Sequence, residues 1–236
     1  MGWGQLSVTT RNVYARTMST RASTPSTRDG RSERWRAHRE ARRNELIAVV
    51  LAVVSEHGAG VGMDDISKAS GIAKPVFYRY FRDKADLFLE VGRMVAETVV
   101  AETTAAIDAA ESPRAKLEAG IDAYLASIES RPEVYRFVVQ HRDLDSYATI
   151  VGFHATGVIG DFMRQAGMDT GAAELWGFGI VGLARAAADR WLAQRTMSRE
   201  AVVRYLSDLI WPGLSGSAVG DVMTRHGGGD RGERGQ

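Results

Sequence analysis

The chain has 236 residues, 44% of them hydrophobic and 25% charged, with a net charge of +1 and no cysteine. That apolar content over that length supports a core for one large domain or two small ones. Disulfides and thiolate metal sites are excluded, and the lack of any run approaching eighteen consecutive apolar residues leaves no candidate for a membrane-spanning helix.

Charge is unevenly spread. The residues through Arg43 hold ten arginines against three acids, a balance of +7, which leaves −6 for the remainder. A basic N-terminal segment is where a polyanion is met, and the acidic remainder argues against a protein that coats nucleic acid with its whole surface. The first 28 residues carry Arg11, Arg16, Arg21 and Arg28 among Ser and Thr with no acid, a composition that also suits an organelle transit peptide. Their low apolar content favours a disordered basic arm over 1–36. Met18 offers an alternative start to Met1.

Leu46, Val49, Val50, Val53 and Val54 recur at helical spacing and predict a first helix over 39–57, closed by Gly58 and Gly60. A second helix begins at Met63 or Asp64, with Ile66 and Ala69 inward. Gly71 supplies the permissive backbone of a tight turn, and Ile72 plugs the corner beneath it. Lys74 and Pro75 open a third helix over 73–81 that buries Phe77 and Phe81. Its other face presents Lys74, Val76, Tyr78, Arg79 and Tyr80, side chains suited to phosphates, thymine methyls and base edges. Two short helices meeting at a glycine also make ordinary core hairpins, so it is the exposed chemistry that points to nucleic acid.

Asp83 caps a fourth helix that runs to about Ala110 on a stripe of Leu87, Val91, Met94, Val95 and Val99. Beyond it, Pro113, Pro132 and a polar turn at Asp143 to Ser146 divide the chain into further segments. The fifth helix spans 114–130 with Leu117, Ile121, Tyr124, Leu125 and Ile128 inward, the sixth 132–142, the seventh 145–166 and the eighth 170–194. Ser198 caps a ninth helix that Pro212 and Gly213 end near Trp211, and the glycine-rich residues 214–236 read as a flexible tail. No strand-like alternation persists, so the expected class is all-α with about nine helices.

The run Gly71-Ile72-Ala73-Lys74-Pro75-Val76-Phe77-Tyr78-Arg79-Tyr80-Phe81, with Asp83, Lys84, Asp86 and Leu87 after it, resembles the signature of TetR-family transcriptional regulators. The resemblance covers about fifty residues, from Arg43 to Leu89. It implies an all-helical, cytoplasmic homodimer that binds double-stranded operator DNA and is no enzyme. An N-terminal helix-turn-helix domain would cover 37–83, and a larger domain for a small effector and dimerisation 84–213. Positions matched by Lys74, Pro75, Val76 and Arg79 face bases in that family, those matched by Tyr78, Tyr80 and Lys84 hold phosphates, and Arg43, at the end of the basic arm, is a further DNA-binding candidate. Two residues depart from the pattern. Ala73 stands where many members cap the third helix with Ser or Thr, which puts a phosphate contact in doubt, and Ser67 replaces a usual alanine.

An effector site is expected to be mostly apolar with a few polar groups for orientation. Candidates are Phe88, Met94, Leu125, Ile128, Phe137, Phe153, Phe162, Met163 and Trp176, with Tyr124, His141, Arg142, His154 and Arg185 as polar contacts. The same residues at the same spacing also make ordinary cores, and Arg185 could simply pair with Asp189 one turn on. Helices eight and nine carry more apolar surface than one inward stripe needs. The resemblance implies that Gly179, Gly182 and Ala186 with Val203, Leu206 and Ile210 form a dimer interface. The segments R-P-E-V-Y-R-F-V-V and V-G-L-A-R-A-A-A-D-R-W-L are similar to parts of actinobacterial TetR-type regulators of fatty-acid metabolism, which implies a hydrophobic acyl-CoA-like effector.

Three patterns lack the context their chemistry requires. The glycines 177, 179 and 182 match G-x-G-x-x-G without a preceding strand, and His141-Arg142-Asp143-Leu144 copies the start of a kinase loop without its partner motifs. The five histidines show no metal spacing, so neither metal nor cofactor is expected. The competing readings are a helical carrier or enzyme whose hairpin is only scaffold, and an architectural DNA binder that senses nothing.

Overall fold

A computed structural model describes residues 27–141 and 145–227, and among these residues it contains nine α-helices and no strand. The helices are α1 (Thr27–His57), α2 (Met63–Ser70), α3 (Lys74–Tyr80), α4 (Lys84–Ala109), α5 (Pro113–Ser130), α6 (Pro132–Gln140), α7 (Asp145–Gln165), α8 (Ala173–Gln194) and α9 (Arg199–Gly227), with a 3-10 turn at Thr170–Ala172 before α8. The all-α class read from the sequence is what the chain adopts.

The N-terminal hairpin is built on a small, dry core. Leu46, Ile47, Val50, Leu51 and Val54 of α1 are fully buried, as are Ile66 of α2 and Phe77 and Phe81 at α3. Met63 is buried beside Ile66, whereas Ala69, expected inward, is exposed. Gly71 closes α2 in the left-handed region (φ 68°), a conformation that disfavours any residue with a Cβ. Two serines staple this turn. Ser67 Oγ donates to the Ile72 carbonyl at 2.8 Å, and Ser70 Oγ accepts from the Ile72 N–H at 3.2 Å. Ala73 precedes α3 with no side-chain cap, as its lack of an oxygen dictates.

Asp83 caps α4 by accepting from the Asp86 N–H at 2.8 Å, and Ser112 does the same for α5 through Ala115. Along α4 the residues Leu87, Phe88, Val91, Val95, Ala96 and Val99 are buried in one continuous apolar core that also holds α1, α3, α5 and α6. The hairpin and the C-terminal helices therefore share a core instead of meeting across a linker. A polar tie adds to it: the Glu133 carboxylate on α6 accepts from the Ala59 N–H in the loop after α1, at 3.1 Å.

Helices α7 and α8 approach closely through glycines. A Cβ added at Gly177 would lie 2.6 Å from the Thr156 backbone, and one at Gly152 would strike the Phe178 ring. α9 lies on α5, where Val202, Leu206, Ile210 and Leu214 are buried, and Arg199 bonds Asp122 and Glu129 of α5 along the rim.

Both ends of the helical body differ from expectation. α1 begins at Thr27, so residues 27–36 continue the first helix where a disordered arm was expected; the exposed stretch Glu33 to Ala41 is rich in helix formers and contains neither glycine nor proline. The remainder of the arm, 1–26, lies outside the described residues. α9 runs through Pro212 to Gly227 instead of ending at Pro212. A mid-helix proline costs about 3 kcal/mol, but burying Leu214 beyond it returns roughly 1.5–3 kcal/mol, and Ser215 Oγ bonds the Trp211 carbonyl across the same turn. Residues 228–236 of the expected tail, and the loop at 142–144, lie outside the described residues.

Gly177→Ala forces a methyl against the α7 backbone and is expected to lower stability by about 1–3 kcal/mol. Urea denaturation monitored by helical circular dichroism reads the change, and an unaltered midpoint would contradict the close approach of α7 and α8.

Candidate nucleic-acid interface

The exposed side of the hairpin is formed by α3 and the corner into α4. Pro75, Tyr78 and Arg79 are exposed, Lys74 and Tyr80 are half-exposed, and Lys84 is exposed beyond the turn. Val76, expected outward, is half-buried and packs against the core, with only part of its surface presented. Each cation on this face has a neighbour within the chain. Lys74 Nζ lies 2.5 Å from Asp64, Arg79 stacks over the Tyr80 ring at 5.2 Å, and Lys84 sits over Phe88 at 5.1 Å. These contacts hold long side chains in limited orientations while leaving their outer surfaces accessible.

Arg43 does not join that face. Its guanidinium is half-buried over the Phe81 ring at 4.7 Å and 3.4 Å from Glu90, so it braces α1 against the start of α4. Sequence reading counts it among the basic residues of the arm because a cation's partners dozens of positions away are not visible along the chain. Asp64, which meets Lys74, carries no sequence signal for the same reason.

The expected effector residues separate into groups. Phe88, Phe137 and His141 meet where the C-terminal helices adjoin the hairpin, Phe88 edge-on to the other two, with ring centroids 4.5–4.8 Å apart, and His141 Nδ1 donates to the Phe137 carbonyl at 2.8 Å. Leu125 and Ile128 are buried in the same core, with Met94 packed at its edge. Met163 belongs to a second buried cluster with Ile159, Met168 and Ala173, against which Phe162 and Trp176 pack. Phe153 lies outside both: it is 53% exposed and stacks edge-on to Phe178. Arg142 lies outside the described residues. His154 Nε2 is 3.4 Å from Thr104 Oγ1, and burial holds its pKa below the usual value.

A polar group that sequence reading names only in part sits among these apolar walls. Tyr135 Oη donates to Asp189 at 2.6 Å, and Tyr124 and Tyr147 are buried nearby, with Arg185 close enough to favour ionisation of both phenols. Burial nevertheless pushes all three phenols up, Tyr124 to about 12, so they remain protonated donors. A tyrosine at helical spacing reads as core, which is why Tyr135 and Tyr147 carry no signal. Among the described residues, no group of three His, Asp or Glu side chains is placed to hold a metal ion, and the glycines of G-x-G-x-x-G lie inside α8.

On the outer side of α8 and α9, Gly179, Gly182 and Ala186 are not buried and lie between Leu175 and the last turns of α8, with open space around both glycines. Val203 is half-buried. Leu206 and Ile210, expected here, point into the chain's own core instead, and the outward residues of α9 are Tyr205 and Leu209, 57% and 66% exposed. A shift of one residue along a helix turns a side chain by about 100°, enough to exchange the two faces.

Comparison with known proteins decides the family. Residues 46–91 match the model of bacterial regulatory proteins of the tetR family, and residues 102–226 match that of the tetracyclin repressor-like C-terminal domain. The chain belongs to the TetR family. An HTH-type transcriptional regulator of Mycobacterium tuberculosis is 34% identical over 196 residues, covering 80% of this chain and 83% of the relative. The HTH-type transcriptional activator FasR of Mycolicibacterium smegmatis is 26% identical over 188 residues, covering 76% and 86%. Among solved structures, the regulator FadR of Bacillus subtilis in complex with stearoyl-CoA superimposes with a TM-score of 0.57 at 14% identity, covering 70% of this chain and 95% of that one. This TetR-family chain is thus a DNA-binding transcriptional regulator and not an enzyme, and no helix among its described residues is long and apolar enough to cross a membrane.

Within this TetR-family reader, Asp64 competes with any anion for Lys74. Asp64→Asn is expected to tighten binding to duplex DNA by up to about fivefold at low salt, the scale of an exposed ion pair. Fluorescence anisotropy on a labelled duplex measures it, and weaker binding would contradict the competition.

Proposed function

We propose that the protein is a homodimeric repressor that a hydrophobic acyl ligand releases from a near-palindromic operator. The observation that carries this reading is the sharing of one core by the hairpin and the C-terminal helices through α4. A ligand that displaces Val95 or Val99 acts on the same rod whose first turn carries Lys84. In this reading Lys74, Pro75, Arg79 and the presented part of Val76 meet base edges, and Tyr78, Tyr80 and Lys84 meet phosphates.

Two copies of α3 would enter successive major grooves about 34 Å apart. The outer face of α8 and α9, with Leu175, Gly179, Gly182, Tyr205 and Leu209 presented, supports the second copy that this spacing needs. Effector release results if the ligand prefers a separation of the two α3 helices that does not match the grooves. An acyl thioester is the effector class supported by the FadR complex and by apolar walls throughout the interior.

Selection from random duplexes with the purified protein, and then titration of stearoyl-CoA into the complex, tests the reading. The expected result is a palindromic site and release of DNA at micromolar ligand, on the order of ordinary metabolite affinities. Retention of equal affinity for selected and scrambled duplexes would overturn it. On the selected site, Lys74→Ala is expected to cost about 1–3 kcal/mol and relax sequence preference, while Lys84→Ala weakens all duplexes and reduces the salt slope by about one.

A further inference from the structure

Tyrosines from three different helices bring their hydroxyls together inside the C-terminal half: Tyr124 of α5, Tyr135 of α6 and Tyr147 of α7, each 6% exposed or less. They lie near enough to alter one another's ionisation. Only Tyr135 has a well-formed hydrogen bond to an acceptor among the described residues, the Asp189 carboxylate; the hydroxyls of Tyr124 and Tyr147 have none. A buried donor without an acceptor is destabilising, and native proteins keep few of them. Tyr124 lies within reach of the other two phenols, yet neither it nor Tyr147 forms a bond of good geometry there, and an acceptor from outside the chain can take both donors.

The surroundings describe that acceptor. A void of about 10 Å³ adjoins Tyr135 and Tyr147 and is otherwise lined by Ser127, Arg131 and the apolar side chains Val95, Val99, Ile128 and Val134. It has room for about one water-sized group at rest, and its walls include α4 itself. The neighbouring charges balance. Arg131 is bound to Glu102 at 2.5 Å, and Arg185 and Asp189 lie one turn apart on α8. A carboxylate entering here would lose its hydration among groups whose charges already cancel, whereas a neutral oxygen needs only the two phenol donors.

We propose that Tyr124 and Tyr147 hold the uncharged carbonyl oxygen of an ester or thioester whose hydrocarbon chain lies against Val95, Val99, Ile128 and Val134. This rests on the hydrophobic-effector reading above and deepens it by naming the side chains that hold the ligand's oxygen. It also gives the ligand a direct grip on α4, since Val95 and Val99 must yield for the chain to enter.

The full-length protein, its Tyr124→Phe and Tyr147→Phe variants and three probes, stearoyl-CoA, methyl stearate and stearate, make the test by calorimetric titration. Phenylalanine keeps the ring and removes only the hydroxyl, so both variants are expected to melt at or above the wild-type temperature. Each should bind stearoyl-CoA and methyl stearate at least about fivefold more weakly, the loss of one hydrogen bond, and stearate should bind wild type more weakly than the ester. Unchanged ester affinity in both folded variants, or a preference of wild type for stearate, overturns the carbonyl site while leaving the hydrophobic effector in place. A lowered melting temperature with unchanged ester binding assigns the hydroxyls to an internal water and overturns it equally. Failure of wild type to bind any of the three removes the hydrophobic-effector reading and this inference with it.

Discussion

The burial of Leu87, Phe88 and Val91 of α4 in one core with α1 and α3 joins the hairpin to the rest of the chain, and the edge-on packing of Phe88 against Phe137 and His141 locks α4 to α6. α4 is 26 residues long, about 39 Å at the rise of an α-helix. Its first turns bury Leu87, Phe88 and Val91 beneath the hairpin, and its middle buries Val95 and Val99 among the C-terminal helices. Close-packed interiors transmit displacement because they contain little free volume to absorb it. In the proposed mechanism a change at the middle of α4 would reach Lys84 along this packed rod. The Glu133 bond to Ala59 and the Arg43 contact with Glu90 tie α1 to the same assembly at two further points.

Charge and apolar surface are distributed on distinct faces. Cations concentrate on the N-terminal helix and on the exposed side of the hairpin, where Asp64, Tyr80 and Phe88 restrain them. Exposed apolar side chains gather on α8 and α9 instead, and a small void lies beside the tyrosines. In the proposed reading a ligand larger than this void enters by moving helices, which would couple occupancy to geometry.

The local signals in the chain are strong where one residue type has a single physical use. Gly71 in a left-handed turn, Asp83 as a helix cap, Phe77 and Phe81 on a buried stripe and the all-helical periodicity all come from short-range rules, and the structure contains them. Helix ends are less legible. Pro212 is a strong local stop, yet the burial of Leu214 carries α9 past it, and α1 extends upstream over residues whose composition alone resembles a loose arm.

Sequence alone thus determined the helical class, the hairpin and, Val76 apart, the residues on its outer side, because each depends on spacing within a few turns of chain. Tertiary structure decided which apolar side chains face the core and which face out, turning Leu206 and Ile210 inward, Leu209 outward and Phe153 to the surface. It also decided that Arg43 is a brace, and that Tyr124, Tyr135 and Tyr147 converge. Those outcomes rest on contacts between residues distant along the chain, and helical periodicity specifies that a face is apolar without specifying what lies against it.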